Sequence, residues 1–219
     1  MTSTATDGDD PVVFTPSNEP YLGRPLLRHF DETIVASLNS NERVARYTHA
    51  HELSDLQKAA CQLIPHGINL ALSIRELIRQ RYLFAAVVLL RSLVERAGII
   101  TYLQKNPDAV EIWKEGWKHG KRPSLTTMLE AMGAGEKDGQ AKQVAKLLHS
   151  ATHGDPIGSI YNLVHLDDHR PGYSVSKSLN DPEICDFVCQ QAMCYLIVLT
   201  GRMAACFPDA LLDDDDDSS

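Results

Sequence analysis

Glycine and proline are not enriched in this 219-residue chain, at 13 and 11 residues, and neither recurs at a fixed period. That excludes collagen-like and repeat architectures. Five cysteines are odd in number, and four of them (Cys185, Cys189, Cys194 and Cys206) share one apolar segment. A disulfide scaffold is therefore not expected; reduced thiols packed in a core are. Nowhere do 18 apolar residues run uninterrupted: the closest approach, residues 82–103, is broken by Arg91, Glu95 and Arg96. The first ten residues lack the basic region and apolar run of a secretory signal. These absences predict a cytoplasmic protein without membrane association. The sequence also lacks a G-x-x-x-x-G-K-[ST] loop, a G-x-G-x-x-G loop and a G-x-S-x-G elbow. Nucleotide hydrolysis, dinucleotide redox chemistry and serine-triad catalysis thus lose their usual signatures, and no cofactor is expected.

What is present is a good deal of apolar side chain, 43% of residues, against 23% charged, enough to exclude wholesale disorder. The length suits a single domain able to bury a core unaided. The formal charge of -8 sits at the ends. Asp7, Asp9, Asp10, Glu19 and the run Asp213–Asp217 supply nine of the 29 acidic residues, leaving 20 acids against 21 bases between them. We therefore read residues 1–19 as a flexible lead-in, 20–212 as one domain and 213–219 as a disordered acidic tail, because runs of like charge repel and stay solvated. The nearly neutral body carries no domain-wide basic face of the kind nucleic-acid-binding domains show.

Between the ends the apolar spacing is helical almost throughout, and no run of period-two alternation calls for a strand. Helices are expected over residues 31–51, 54–80 (opened by a Ser54/Gln57 capping box and kinked or broken by Pro65), 82–105, 106–120, 124–132 and 140–151. An irregular stretch follows to residue 179, and Asp181-Pro182 opens a last long helix ending at Pro208. The pattern predicts an all-α helical bundle with residues 82–105 at its centre.

On a helical wheel at ~100° per residue, Phe84 and Tyr102 lie about 20° from Arg91, Glu95 about 40° and Val88 about 60°. Arg91 and Glu95 therefore stand in an apolar stripe one turn apart. Burying either charge alone costs several kcal/mol, so the two should pair with each other or with groups on a facing helix. Such a pair either fixes helix register or forms a pocket in which Arg91 binds an anion while Glu95 orients a base or a hydroxyl. Two further clusters carry candidate chemistry. His149 and His153, and again His165 and His169, have the i, i+4 spacing that can bind zinc, although no Glu completes an H-E-x-x-H motif. His153 before Gly154 could equally satisfy the last carbonyls of a helix. Residues 113–122 interleave Trp113 and Trp117 with lysines and Arg122, a pattern that serves either phosphate and base contacts or the packing stripe of a short amphipathic helix.

The run Leu89-Leu90-Arg91-Ser92-Leu93-Val94-Glu95, continued by Tyr102-Leu103 and Asn106-Pro107-Asp108 and later by Ser150-x-x-His153-Gly154, resembles a bacterial family of unknown function whose members look like HEPN helical bundles. The resemblance implies a HEPN-like bundle in which Arg91, Glu95, Tyr102 and His153 converge as site residues, and a homodimer. Catalytic HEPN proteins are metal-independent ribonucleases with an R-x(4–6)-H motif on a late helix. Here that spacing occurs only early, as at Arg24/His29, Arg43/His49 and Arg46/His51, and the base upstream of His153 is Lys146. Two functions follow. One is a HEPN-like protein acting through protein partners, in a defence or toxin–antitoxin setting. The other is a metal-independent ribonuclease with RNA as substrate, His153 as acid/base and Arg91 as phosphate clamp.

Overall fold

A computed structural model describes residues 19–120, 122–133, 140–153, 155, 163–165, 171–173 and 181–212. Three long helices open the chain: α1 (Pro25–Ala50), α2 (Asp55–Arg79) and α3 (Leu83–Lys105). Two short ones follow, α4 (Ala109–Lys114) and α5 (Leu125–Ala131), then α6 (Gln140–His153), the long α7 (Pro182–Cys206) and the terminal α8 (Pro208–Leu212). The fold is a helical bundle. Two three-residue strands, β1 (Leu163–His165) and β2 (Pro171–Tyr173), pair antiparallel with Val164 opposite Gly172. They lie in the stretch expected to be irregular; three residues are too short for an alternating pattern to register.

Local chemistry sets most helix starts. Pro25 stands in the first turn of α1, where its missing N–H is no loss, so that helix begins six residues before the expected Asp31. Ser54 and Gln57 close both arms of the capping box on α2. The Ser124 side chain accepts from Thr127 N at 3.1 Å to open α5, and Asp181 accepts from Glu183 N at 2.8 Å to open α7. Two expectations need amending. Of the kink or break expected at Pro65, the break does not occur: helix α2 is continuous through that position, where Ala60, Leu63, Ile64, Gly67 and Ile68 are all buried and hold it against its neighbours. The helix expected over 106–120 ends at Lys114, where Gly116 and Trp117 both adopt positive φ (76° and 58°) and turn the chain into a 3-10 turn at Lys118–Gly120.

Helix α3 is the centre, packed against α2, α5, α6 and α7, while α1 closes over α2 and α7. Leu83, Leu90, Leu93, Ile100 and Leu103 of α3 are almost wholly buried. Two of the bundle's closest approaches are made by glycine. A Cβ on Gly98 would fall 2.6 Å from Met128 Cβ of α5, and one on Gly67 would fall 2.4 Å from Leu199 Cδ2 of α7. By length and composition α7 could cross a membrane; here its inner face packs in the bundle.

Side-chain clamps tie the layers. Arg75 of α2 binds Asp31 of α1 and also Glu19, whose side chain is only 3% exposed. Glu19, counted with the flexible lead-in from sequence, is thus a buried part of the bundle; a carboxylate can be buried where a guanidinium answers it. Burial alone would lower the Arg75 pKa, but the bonds from Asp31 and Glu19 raise it on balance. Arg24 forms a two-pronged bond to Asp186 of α7, with Nε to Oδ1 at 2.7 Å. At the far end, Gln57 and Gln104 donate to the carbonyls of Cys206 (3.0 Å) and Arg202 (2.9 Å), closing the C-terminus of α7.

Arg75→Leu is expected to cost about 3 kcal/mol or more in urea unfolding, since it strands the Glu19 carboxylate, and Glu19→Gln in the same background should recover part of the loss. The hydrogen bond from Arg24 holds the Asp186 carboxyl below its ordinary value of 3.8. Asp186 therefore contributes stability above that value and loses it as pH falls through the lowered, folded-state pKa. A plot of Tm against pH should fall more steeply below pH ~4 for the natural protein than for Asp186→Asn.

Candidate functional site

The two charges of the apolar α3 find partners from three directions. Arg91 Nε bonds Glu95 Oε1 at 3.2 Å, one turn on, and the side chains are 20% and 17% exposed. The second oxygen of Glu95 accepts from Arg122 Nη2 at 2.8 Å, so one carboxylate serves two guanidiniums. Arg91 Nη1 reaches across to His149 Nδ1 of α6 at 3.2 Å. A guanidinium has no acceptor, so Nδ1 must accept and the neutral ring carries its proton on Nε2. His149 and His153, adjacent on α6, have ring centroids 4.2 Å apart.

Beside this network lies a groove of about 340 Å³, lined by Arg91, Leu125, Thr126, Lys142, Ala145, Lys146 and His149. Three of the seven are permanent cations and none is acidic. The positions follow from α6 being amphipathic: Ala141, Leu148 and Ala151 are buried, which turns Lys142, Lys146, His149 and His153 outward at 3- and 4-residue spacing. The facing wall comes from α5, whose close seat on α3 is permitted by Gly98. Chemically the groove offers a fork-shaped cation, two point cations and an imidazole, a set suited to a phosphate or a polyanion.

Of the four residues expected to converge, Arg91 and Glu95 meet. His153 comes within ring distance of His149, and it is His149 that bonds Arg91. Tyr102 lies three turns along α3 from Arg91, about 16 Å by helical rise, and packs against Trp117 with centroids 6.4 Å apart. Lys142, Lys146 and Thr126 line the groove without having been assigned to it from sequence, and Arg122, read there as part of the 113–122 cluster, joins the network through Glu95. The α6 face was legible from its spacing; the reach of Arg122 to Glu95, across 27 residues of chain, was not.

The other candidate clusters resolve differently. Trp113 and Trp117 pack on the core, and the neighbouring lysines are held by acids, Lys114 by Glu111 (2.8 Å) and Asp55 (3.4 Å), Lys118 by Glu115 (3.8 Å). Among the described residues, no group of three or more His, Cys, Asp or Glu could hold a metal ion. His169 and Gly154 lie outside those residues, as do 1–18 and the acidic run from 213. All five cysteines are free thiols. Burial raises the pKa of Cys61 and of Cys206, and a hydrogen bond from Cys185 together with burial raises that of Cys189, the opposite of what a thiolate nucleophile needs.

Glu95→Gln should lower stability by about 1–2 kcal/mol, since Arg91 and Arg122 then share a partly buried place with no counter-charge. Urea unfolding monitored by circular dichroism reads this directly.

Compared with protein-family models, curated proteins and solved structures, the chain has no match.

Proposed function

We propose that the groove between α5 and α6 binds the phosphodiester backbone of single-stranded RNA and that the protein is a metal-independent ribonuclease. The observation that carries this reading is the 3.2 Å contact between Arg91 and His149 at the wall of a groove with three cations and no acid. The resemblance to HEPN bundles points the same way, because their ribonucleases set an arginine and a histidine side by side. In this chain the arginine comes from α3 and the histidine from α6, so the pairing depends on how the helices pack and not on a short R-x(4–6)-H motif.

In the proposed reaction, a phosphate entering the groove is a stronger acceptor for the Arg91 guanidinium than a neutral imidazole nitrogen. Arg91 turns its fork to the phosphate, with Lys142 and Lys146 stabilising the added negative charge. The Nδ1 lone pair of His149 is released by that exchange and serves as the general base on the ribose 2′-hydroxyl. The 2′-oxygen attacks phosphorus, the bond to the 5′-oxygen breaks, and the leaving oxygen takes a proton from the protonated His153. The products are a 2′,3′-cyclic phosphate and a free 5′-hydroxyl. Glu95 acts as a positioning residue, holding Arg91 in register through Nε while its other donors turn.

The test is cleavage of end-labelled single-stranded RNA by the full chain in the presence of chelator. Cleavage should persist, yield cyclic-phosphate ends and fall at least ~100-fold in His149→Ala and in Arg91→Ala while circular dichroism stays unchanged. Binding to non-cleavable RNA should weaken with salt at a log–log slope of about −2, as expected for three neutralised phosphates on a single strand. Absence of both cleavage and salt-dependent binding would remove the ribonuclease reading and leave the alternative of action through protein partners.

A further inference from the structure

A second cavity, of about 150 Å³, lies among α1, α2 and the end of α7, on elements that the cationic groove does not use. Its floor is Val44, Ala60, Ile64, Met203 and Phe207, none more than 5% exposed. Small side chains leave the space where two helices meet: Ala45 and Thr48 of α1 line it from one side, Ala60 and Cys61 of α2 from the other. The floor is held in place from outside. Phe207 sits edge-on to Tyr47 with ring centroids 6.1 Å apart, and Gln57 holds the carbonyl of the preceding Cys206. Among the described residues, no Asp, Glu, Lys, Arg or His lines the cavity, and burial raises the Cys61 thiol's pKa, which keeps it neutral.

The wall also carries an acceptor that the helix itself does not satisfy. Pro65 has no N–H, so the Cys61 carbonyl one turn before it loses its i+4 donor, and the proline ring crowds that oxygen away from the helix axis. Cys61 and Pro65 both line the cavity, so this carbonyl lies on the face of α2 turned toward it. Thr48 adds to the same character: its hydroxyl donates to the Ala45 carbonyl at 2.7 Å, which leaves its oxygen to accept. Asn41, the remaining polar side chain, is part-exposed at the rim, where water serves it. Two classes of occupant are thereby disfavoured. A charged molecule meets no counter-charge here, and a hydrocarbon leaves the carbonyl unanswered. A cavity of ~150 Å³ with apolar walls is the size that takes one benzene ring.

We propose that this cavity binds a small neutral molecule of one ring bearing a hydroxyl or N–H donor, phenol being the simplest. Its ring rests on Phe207, Met203 and Ile64, with the Met203 thioether supplying a sulfur–aromatic contact, and its donor bonds the Cys61 carbonyl. The cavity shares no residue with the groove proposed to bind RNA, so the two readings stand or fall separately.

Isothermal titration of the full chain with phenol and with toluene tests the assignment. The two molecules have nearly the same shape, and toluene leaves water more readily, so an apolar hole alone would take toluene more tightly. Saturable 1:1 phenol binding at or below ~1 mM is expected, at least as tight as that of toluene. Pro65→Ala gives the Cys61 carbonyl back its helical N–H. It should keep the fold, with an unchanged or higher Tm, weaken phenol at least fivefold and leave toluene binding in place, so that toluene becomes the tighter ligand. Ala45→Phe, at an exposed position on the mouth, should abolish binding of both while circular dichroism stays unchanged. Saturating phenol should also slow alkylation of Cys61 by N-ethylmaleimide at least fivefold and leave the exposed Cys194 as reactive as before. The proposal is overturned if neither compound binds saturably, if toluene binds the natural protein more tightly, or if Pro65→Ala leaves the preference for phenol in place. Binding that survives Ala45→Phe with Cys61 unprotected overturns it as well.

Discussion

A charge placed on an apolar helix has to be answered by another charge or a hydrogen bond, and in this bundle that requirement organises the surroundings of α3. Arg91 and Glu95 stand on its most buried helix, at 20% and 17% side-chain exposure, too enclosed for water to solvate them fully. Each answers the other at 3.2 Å, yet a carboxylate has two oxygens and a guanidinium five donors. The spare valences recruit Arg122 from the loop before α5 and His149 from α6. Ion-pair satisfaction thereby fixes where two peripheral elements sit, and the groove between them follows.

The same logic recurs at the rim. Arg75 gathers Asp31 and Glu19, while Arg24 holds Asp186, so the first helix and the segment before it are clamped to α2 and α7 by arginine forks. Arginine suits these places because its planar donors hold two carboxylate oxygens at once and its charge persists when partly buried. Glycine does the complementary work at points of closest approach: Gly98 admits α5 to α3, and Gly67 admits α7 to α2. Charge pairs set register, and small residues set distance.

Much of this was legible in the chain itself. The capping box at Ser54, the Ser124 cap and the Asp181-Pro182 start are local patterns, complete within four residues, and each opens the helix it announces. The Arg91–Glu95 contact was equally readable, because an i, i+4 pair on a helix meets whatever the rest of the fold does. Elsewhere local rules met competing terms. Pro65 was expected to kink or break α2, and buried neighbours on both sides keep the helix continuous despite one lost hydrogen bond. Trp117 adopts a left-handed backbone that no propensity for tryptophan foretells, while its ring packs against Tyr102. A bundle was the expectation and a bundle is what forms, with a short strand pair added.

What the sequence alone determined is whatever depends on neighbours within about one helical turn: the capped helix starts, the shared face of His149 and His153 on α6 and the pairing of two charges on α3. The tertiary structure decided which histidine Arg91 meets. His149 and His153 are separated by about one turn, ~6 Å of rise, and only the register of α6 against α3 selects between them. It also decided that Arg122 shares Glu95 and that Glu19 is buried, since those contacts span 27 and 56 residues of chain. Periodicity sorts side chains onto faces but carries no information on which face of which helix they will oppose; that is fixed only when the core packs.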